Sequence, residues 1–182
     1  MISLVLALVL AVGFVVFAVR AASRSTSSLG MRSALTLIVY PPGRRHTPAP
    51  VALTRLGGGA PVRVGGAVGH PTVVNFFASW CPICRQELGT IAAVARAGKV
   101  PFVGIDTDDD APATALKLLR AAGATYPVGV GKAPLAEAYG TTNLPTTAFL
   151  NAKGQVVAIF LGGVKKAELT HLVAELAAGK PL

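Results

Sequence analysis

Cysteine is scarce in this chain: there are two in 182 residues, Cys81 and Cys84. Two thiols close at most one bridge, which excludes the multi-disulfide framework of small secreted domains. Histidines number three. They fall in a linker (His46), a pre-strand turn (His70) and the last helical segment (His171), too dispersed to complete the four-ligand set of a structural zinc with the cysteines. No metal is therefore expected. Aromatic residues make up 6% of the chain, and the basic residues do not cluster with them on one face, so nucleic acid is not an expected partner. Acids are few, eight against 17 Lys and Arg. None occurs in residues 1–47, where Arg20, Arg24, Arg32, Arg44 and Arg45 stand unopposed. There are no internal repeats.

Hydrophobic residues, by contrast, are plentiful at 52%. Ile2 to Val19 is uncharged and almost wholly apolar; as a helix it spans about 27 Å, close to the ~30 Å hydrocarbon core of a bilayer. A buried core helix would carry a polar stripe, and a cleaved signal peptide has a shorter apolar region without an arginine so near the cut. Residues 1–20 are thus read as a transmembrane anchor, with membrane lipid as its partner and the basic excess beside it favouring anionic head groups. The charge bias is at odds with an exported domain. No Lys or Arg precedes the apolar run and several arginines follow it, which by the positive-inside rule keeps the C-terminal part in the cytoplasm. A mis-assigned start codon, with a basic N-terminus missing, would remove that conflict.

Residues 21–47 have the Ser, Arg and Pro content of a linker, interrupted by the apolar run Leu35 to Tyr40, which suits either an interfacial segment or a strand. A folded domain is expected over residues 48–182. Val51–Leu56 and Pro61–Val64 flank three glycines as a β-hairpin. Thr72–Phe77 and Val100–Ile105 have the β-branched and aromatic content of buried strands, with Pro101 near the entry of the second. Helices are expected over Arg85–Ala97, between Pro112 and Gly123, over Ala133–Tyr139 and over Lys165–Ala178. Thr147–Leu150 and Val156–Leu161 flank a turn at Asn151–Gly154. This order suits an α/β sandwich with helices on both faces of the sheet.

The chemistry-bearing pattern is Trp80-Cys81-Pro82-Ile83-Cys84-Arg85, a C-x-x-C between a strand and a helix, which is a redox signature. On a helical first turn the two side chains are neighbours and close a short, reversible disulfide. Cys81 lies at the helix edge, with Pro82 at the first helical position, where its missing N–H costs nothing. The free N–H groups there lower the Cys81 pKa from ~8.5 to around 7–8, with Arg85 one turn on adding to this. Cys84, one turn deeper, is the resolving thiol: Cys81 attacks a substrate disulfide and Cys84 then displaces the reduced substrate from the mixed disulfide. Glu87 shares the Cys84 face of the helix. It suits either a proton shuttle for Cys84 or an ordinary first-turn acid. The acids from Asp106 to Asp110 read as a solvated loop with helix-capping use.

Two stretches together resemble a known family. Val73-Val74-Asn75-Phe76-Phe77-Ala78-Ser79-Trp80-Cys81-Pro82-Ile83-Cys84-Arg85-Gln86-Glu87-Leu88 is similar to the active-site segment of thioredoxin-like proteins of the TlpA/ResA type. Tyr139-Gly140-Thr141-Thr142-Asn143-Leu144-Pro145-Thr146-Thr147-Ala148-Phe149-Leu150 is similar to their cis-proline segment. The resemblance runs from about Pro48 to Ala178. It implies a thioredoxin-like α/β fold: a central mixed sheet with helices on both faces and an N-terminal β-hairpin extension, preceded by the transmembrane helix. It also implies an extracytoplasmic, membrane-anchored thiol-disulfide oxidoreductase acting on protein thiols and disulfides, as in apocytochrome c maturation, and fed by an upstream membrane electron donor. No cofactor is implied beyond the Cys81–Cys84 disulfide itself. Catalytic roles fall on Cys81, Cys84 and Glu87. Substrate contact falls on Trp80, Pro82, Leu144 and Pro145, with Pro145 cis and packed on the cysteines and the Leu144 backbone exposed to an extended client.

Two departures stand out. The dipeptide between the cysteines is Pro82-Ile83, where the family often has Pro second, so the potential does not carry over. Six residues before Cys81, where thioredoxin itself has a buried Asp, stands Asn75, which moves proton transfer toward Glu87 or water. Two rival readings remain: a peroxiredoxin-like thiol peroxidase, although the place of that family's Thr or Ser is taken by Cys81, and a non-catalytic tethered adaptor or metallochaperone.

Overall fold

The computed structural model describes residues 36–182. The apolar run Ile2–Val19, and with it the anchor reading of residues 1–20, lies outside the described residues, as does the first part of the linker. Among the described residues no helix is long and apolar enough to cross a membrane.

The chain runs β1 (Thr36–Val39), a single 3-10 turn, β2 (Val51–Leu53), β3 (Val62–Val64), β4 (Thr72–Phe77), α1 (Pro82–Arg96), β5 (Phe102–Thr107), α2 (Pro112–Ala121), β6 (Val128–Gly131), α3 (Ala133–Ala138), β7 (Thr146–Leu150), β8 (Val156–Leu161) and α4 (Lys166–Ala177). Six strands form one mixed sheet in the order β1-β8-β7-β4-β5-β6, and β2 pairs β3 as a separate hairpin. β4, β5 and β6 are parallel, while β7, β8 and β1 join antiparallel. The crossovers β4-α1-β5 and β5-α2-β6 step in the same direction across the sheet, and right-handed crossovers place both helices on one face. Side chains of β4 alternate accordingly. Val73 and Phe77 face α1, α2 and α4, whereas Val74 and Phe76 face the hairpin, Ala136 of α3 and Tyr139. Both faces are thus covered.

The helix bearing the cysteines forms because Cys84, Leu88, Ile91 and Ala92 recur at helical spacing and are buried. Gly98, at a φ of 70°, closes it. Two strands depart from the sequence reading. The run at Leu35–Tyr40 within the stretch read as linker is β1, an edge strand paired with β8 from Thr36↔Leu161 to Val39↔Ala158. β6 has no counterpart among the expected elements, since Val128-Gly129-Val130-Gly131 has too few side chains to show a strand pattern. The glycine at 129 has a steric reason: a Cβ there would lie 2.8 Å from Leu53 of the overlying hairpin. Thr54 and Leu56 then bond to β6, the Val130 N–H to the Thr54 carbonyl and the Leu56 N–H to the Val128 carbonyl, each at 2.8 Å.

Candidate active site

At the end of β4 the chain turns through Ala78-Ser79-Trp80 and enters α1 with Cys81 as its N-cap. Cys81 has extended backbone angles (φ −83°, ψ 114°), and its sulfur accepts the Cys84 N–H at 3.2 Å. This is the place where a helix offers unpaired donors. A sulfur seated there is stabilised as an anion by that N–H and by the helix dipole. The two cysteines are joined in a disulfide with their Cα atoms 5.3 Å apart. Cys81 is 5% exposed and Cys84 fully buried, the order expected of an attacking and a resolving thiol. An apolar collar of Phe77, Ala78, Leu88, Ala115 and Leu119 surrounds them. Trp80 and Ile83 stand out at the surface, 57% and 40% exposed, and Pro82 between them is exposed too.

Below the cysteines lies Glu87, 4% exposed. Asn75 Nδ2 on β4 donates to its Oε1 at 2.9 Å and the Val164 N–H to its Oε2 at 3.1 Å. Burial pushes the Glu87 carboxyl up from the ordinary 4.5 to about 7, against the opposing pull of those two hydrogen bonds. An acid poised near neutrality takes or gives a proton at little cost. Asn75 also donates to Thr147 Oγ1 on β7 at 3.2 Å.

The second segment arrives from the far end of the sheet. Between α3 and β7 the Leu144–Pro145 peptide is cis. A hydroxyl pair, Thr141 and Thr146 at 2.8 Å, and the Asn143 carbonyl, which accepts from Thr146 Oγ1 at 2.8 Å, hold this turn. Pro145 is buried and Leu144 half-buried, with Leu144 against the cluster that contains both cysteines. Trp80 and Leu144 then line a cleft of about 270 Å³, together with Asp108, Ala136, Glu137 and Asn143. The residues singled out in the sequence, Trp80, Cys81, Pro82, Cys84, Glu87, Leu144 and Pro145, thus come from two segments that the fold gathers at one end of β4 and β7.

The acidic run meets the expectation in part: Asp108 and Asp110 are exposed, and Asp108 and Asp109 accept N–H groups at the starts of α3 and α2, but two of its acids are buried. Asp106 is fully buried and Asp109 is 9% exposed. Asp109 takes the Ser79 N–H at 2.5 Å and the Ala111 N–H at 2.8 Å. Asp108, at a φ of 47°, accepts the Ala133 N–H at 2.7 Å and pairs with Lys132 at 3.6 Å. Acids at a strand end read as solvent-facing, and only the tertiary placement of the loop against Ser79 shows that Asp106 and Asp109 are not. Among the described residues no three His, Cys, Asp or Glu side chains gather as a metal ion requires. His70 and His171 are exposed, and His46 packs edge-on to Tyr40 at 5.4 Å.

The Redoxin family profile matches residues 45–176. A thiol:disulfide interchange protein DsbE from Allochromatium vinosum is 31% identical over 122 residues, 63% of this chain and 66% of that protein. The chain therefore spans just under two thirds of that relative's length. The crystal structure of a DsbF homologue from Corynebacterium diphtheriae superposes with a TM-score of 0.66 at 23% identity, covering 81% of this chain and 98% of that one. That of a thiol:disulfide interchange protein of the thioredoxin family from Chlorobium tepidum gives 0.63 at 25%, covering 74% and 97%. A mixed sheet with a C-x-x-C at a helix mouth, matched over most of its length by that profile and by these folds, leaves one conclusion: the chain belongs to the Redoxin family, among its thioredoxin-like members of the TlpA/ResA/DsbE type.

Proposed function

We propose that this chain is a thiol-disulfide oxidoreductase that reduces disulfides of exported proteins, apocytochromes c being one client class, from the outer face of a membrane to which residues 1–20 anchor it. The observation that carries the reading is the Cys81 sulfur at the mouth of α1, accepting a backbone N–H, with Cys84 buried behind it and Glu87 below. In the forward half-reaction the Cys81 thiolate attacks one sulfur of a client disulfide, and the other client sulfur leaves as a thiolate and takes a proton from water. Glu87 accepts the Cys84 proton. The Cys84 sulfur then attacks Cys81, expelling the second client sulfur as a thiolate, which is protonated as Glu87 gives back its proton, and closing the Cys81–Cys84 bond. Two electrons pass to the client, and a membrane dithiol donor restores the reduced pair. An extended client lies along Leu144 and Pro145, with a side chain in the cleft beside Trp80.

Replacing Cys84 by Ala removes the resolving thiol, so mixed disulfides with exported proteins accumulate on Cys81 and are identified by mass spectrometry. Cys81→Ala traps none. Equal trapping by both variants would refute the division of roles. Reduction of insulin disulfides by the reduced protein separates this reading from a non-catalytic adaptor, which shows none. Protease treatment of intact cells tests the location: complete protection of residues 48–182 defeats the extracytoplasmic placement that the arginines after Val19 already oppose.

A further inference from the structure

The peptide that leads into Cys81 is clamped on both sides. Its Ser79 N–H is held by Asp109, and its Ser79 carbonyl accepts from Arg85 Nε at 2.6 Å. The Trp80 indole N–H reaches the Asp108 carbonyl at 3.2 Å. One carboxylate, that of Asp109, thus joins the segment two residues before Cys81 to the entrance of α2 through its second bond, to Ala111. Beneath it, Asp106 is the register partner of Phe77. Asp106 is fully buried, and no N–H or hydroxyl donor reaches either of its oxygens, which face the Asp109 carboxyl. Two neighbouring buried carboxyls do not both ionise readily. Burial, and then the charge of Asp109, push Asp106 up to about 7. Burial works upward on Asp109 as well, but the bonds from Ser79 and Ala111 outweigh it and hold that carboxyl below its ordinary value. The charge accordingly sits on the member that faces two N–H donors.

We infer that Asp109 is a positioning residue for Cys81: its carboxylate fixes the Ser79 peptide so that the Cys81 sulfur stays in line with the Cys84 N–H. The inference rests on the reading of Cys81 as the attacking thiol. It also fixes the sign of the effect. A carboxylate near a thiol opposes its ionisation, so loss of the charge alone makes Cys81 more reactive. Loss of position removes a hydrogen bond from the thiolate and makes Cys81 less reactive.

The test is iodoacetamide alkylation of the reduced full-length protein over a pH series, with Cys81 modification read by mass spectrometry in the wild type and in Asp109→Ala. The expected result is a profile moved to higher pH in the variant, with Cys81 at least about threefold slower at pH 7, or half a pH unit in midpoint. An unchanged or faster Cys81 overturns the inference. Should Asp109→Ala fail to fold, amide hydrogen exchange in the wild type decides. A protected Ser79 amide supports the clamp, and one exchanging like an open loop refutes it. A wild-type Cys81 that does not react at all defeats the oxidoreductase reading and this inference together. A reactive Cys81 indifferent to Asp109 defeats the inference alone.

Discussion

Replacing Glu87 by Gln isolates the burial of one carboxyl, and its effect on stability follows from the structure. In the folded protein burial raises Glu87 from 4.5 to about 7, whereas in the unfolded chain it returns to the ordinary carboxylate range. A raised value means that the folded state holds a proton the unfolded state has released. The stabilisation linked to that proton is complete below about 4.5 and is lost as pH rises through about 7. At about 1.4 kcal/mol for each pH unit, the loss totals about 3 kcal/mol, most of it between pH 5 and 8. The variant's amide has no proton to lose. Urea unfolding of the compact unit Ala34–Leu182, with the disulfide kept closed so that no thiol titrates, provides the assay. Between pH 5 and 8 the wild type should weaken relative to Glu87→Gln by about 1 M in the urea midpoint, taking a slope of about 2 kcal/mol/M. Parallel pH dependences, or a wild type that gains on the variant as pH rises, would show that Glu87 does not titrate near neutrality, and its role as the carrier of the Cys84 proton would fall with it.

Two further outcomes are open to direct measurement. Trp80→Ala should leave the melting temperature nearly unchanged, because the ring is mostly exposed, while lowering kcat/KM for a protein disulfide severalfold, roughly 1 kcal/mol of client contact; an unchanged kcat/KM would remove Trp80 from the client surface. Gly104→Ala places a Cβ 2.9 Å from Val128 and 3.1 Å from the Tyr126 ring. It should cost about 1–3 kcal/mol in urea unfolding, and a neutral effect would mean that β5 and β6 are less tightly apposed than described.

Much of the fold is written in local pattern. The β-branched run at Thr72–Phe77, the Pro112 and Gly123 boundaries and the Asn151–Gly154 turn each carry their own signal, and the elements stand where those signals put them. What the pattern hides depends on partners distant in sequence. β1 is a strand only because β8, more than a hundred residues later, pairs with it. β6 shows no period because two of its four residues are glycines, one making room for Leu53 of the hairpin and the other for Ile105 and Leu135. The same division holds at the site. The spacing of Cys81 and Cys84 and the helical face of Glu87 are local facts. The acids at 106 and 109 look solvated until the loop folds against Ser79, and no spacing rule joins them to the turn before a cysteine on another element.

The amide of Asn75 spans two carriers of the site, touching Glu87 on α1 and Thr147 on the strand that follows Pro145. An aspartate in its place would exchange a donor for an acceptor and set two acids 2.9 Å apart in a dry interior. Positions 75 and 87 are therefore one decision, not two. A variant that moves the proton-bearing acid from the helix to the strand has to change both residues together, and any single-step route between the arrangements passes through either a doubly acidic floor or one with no acid at all.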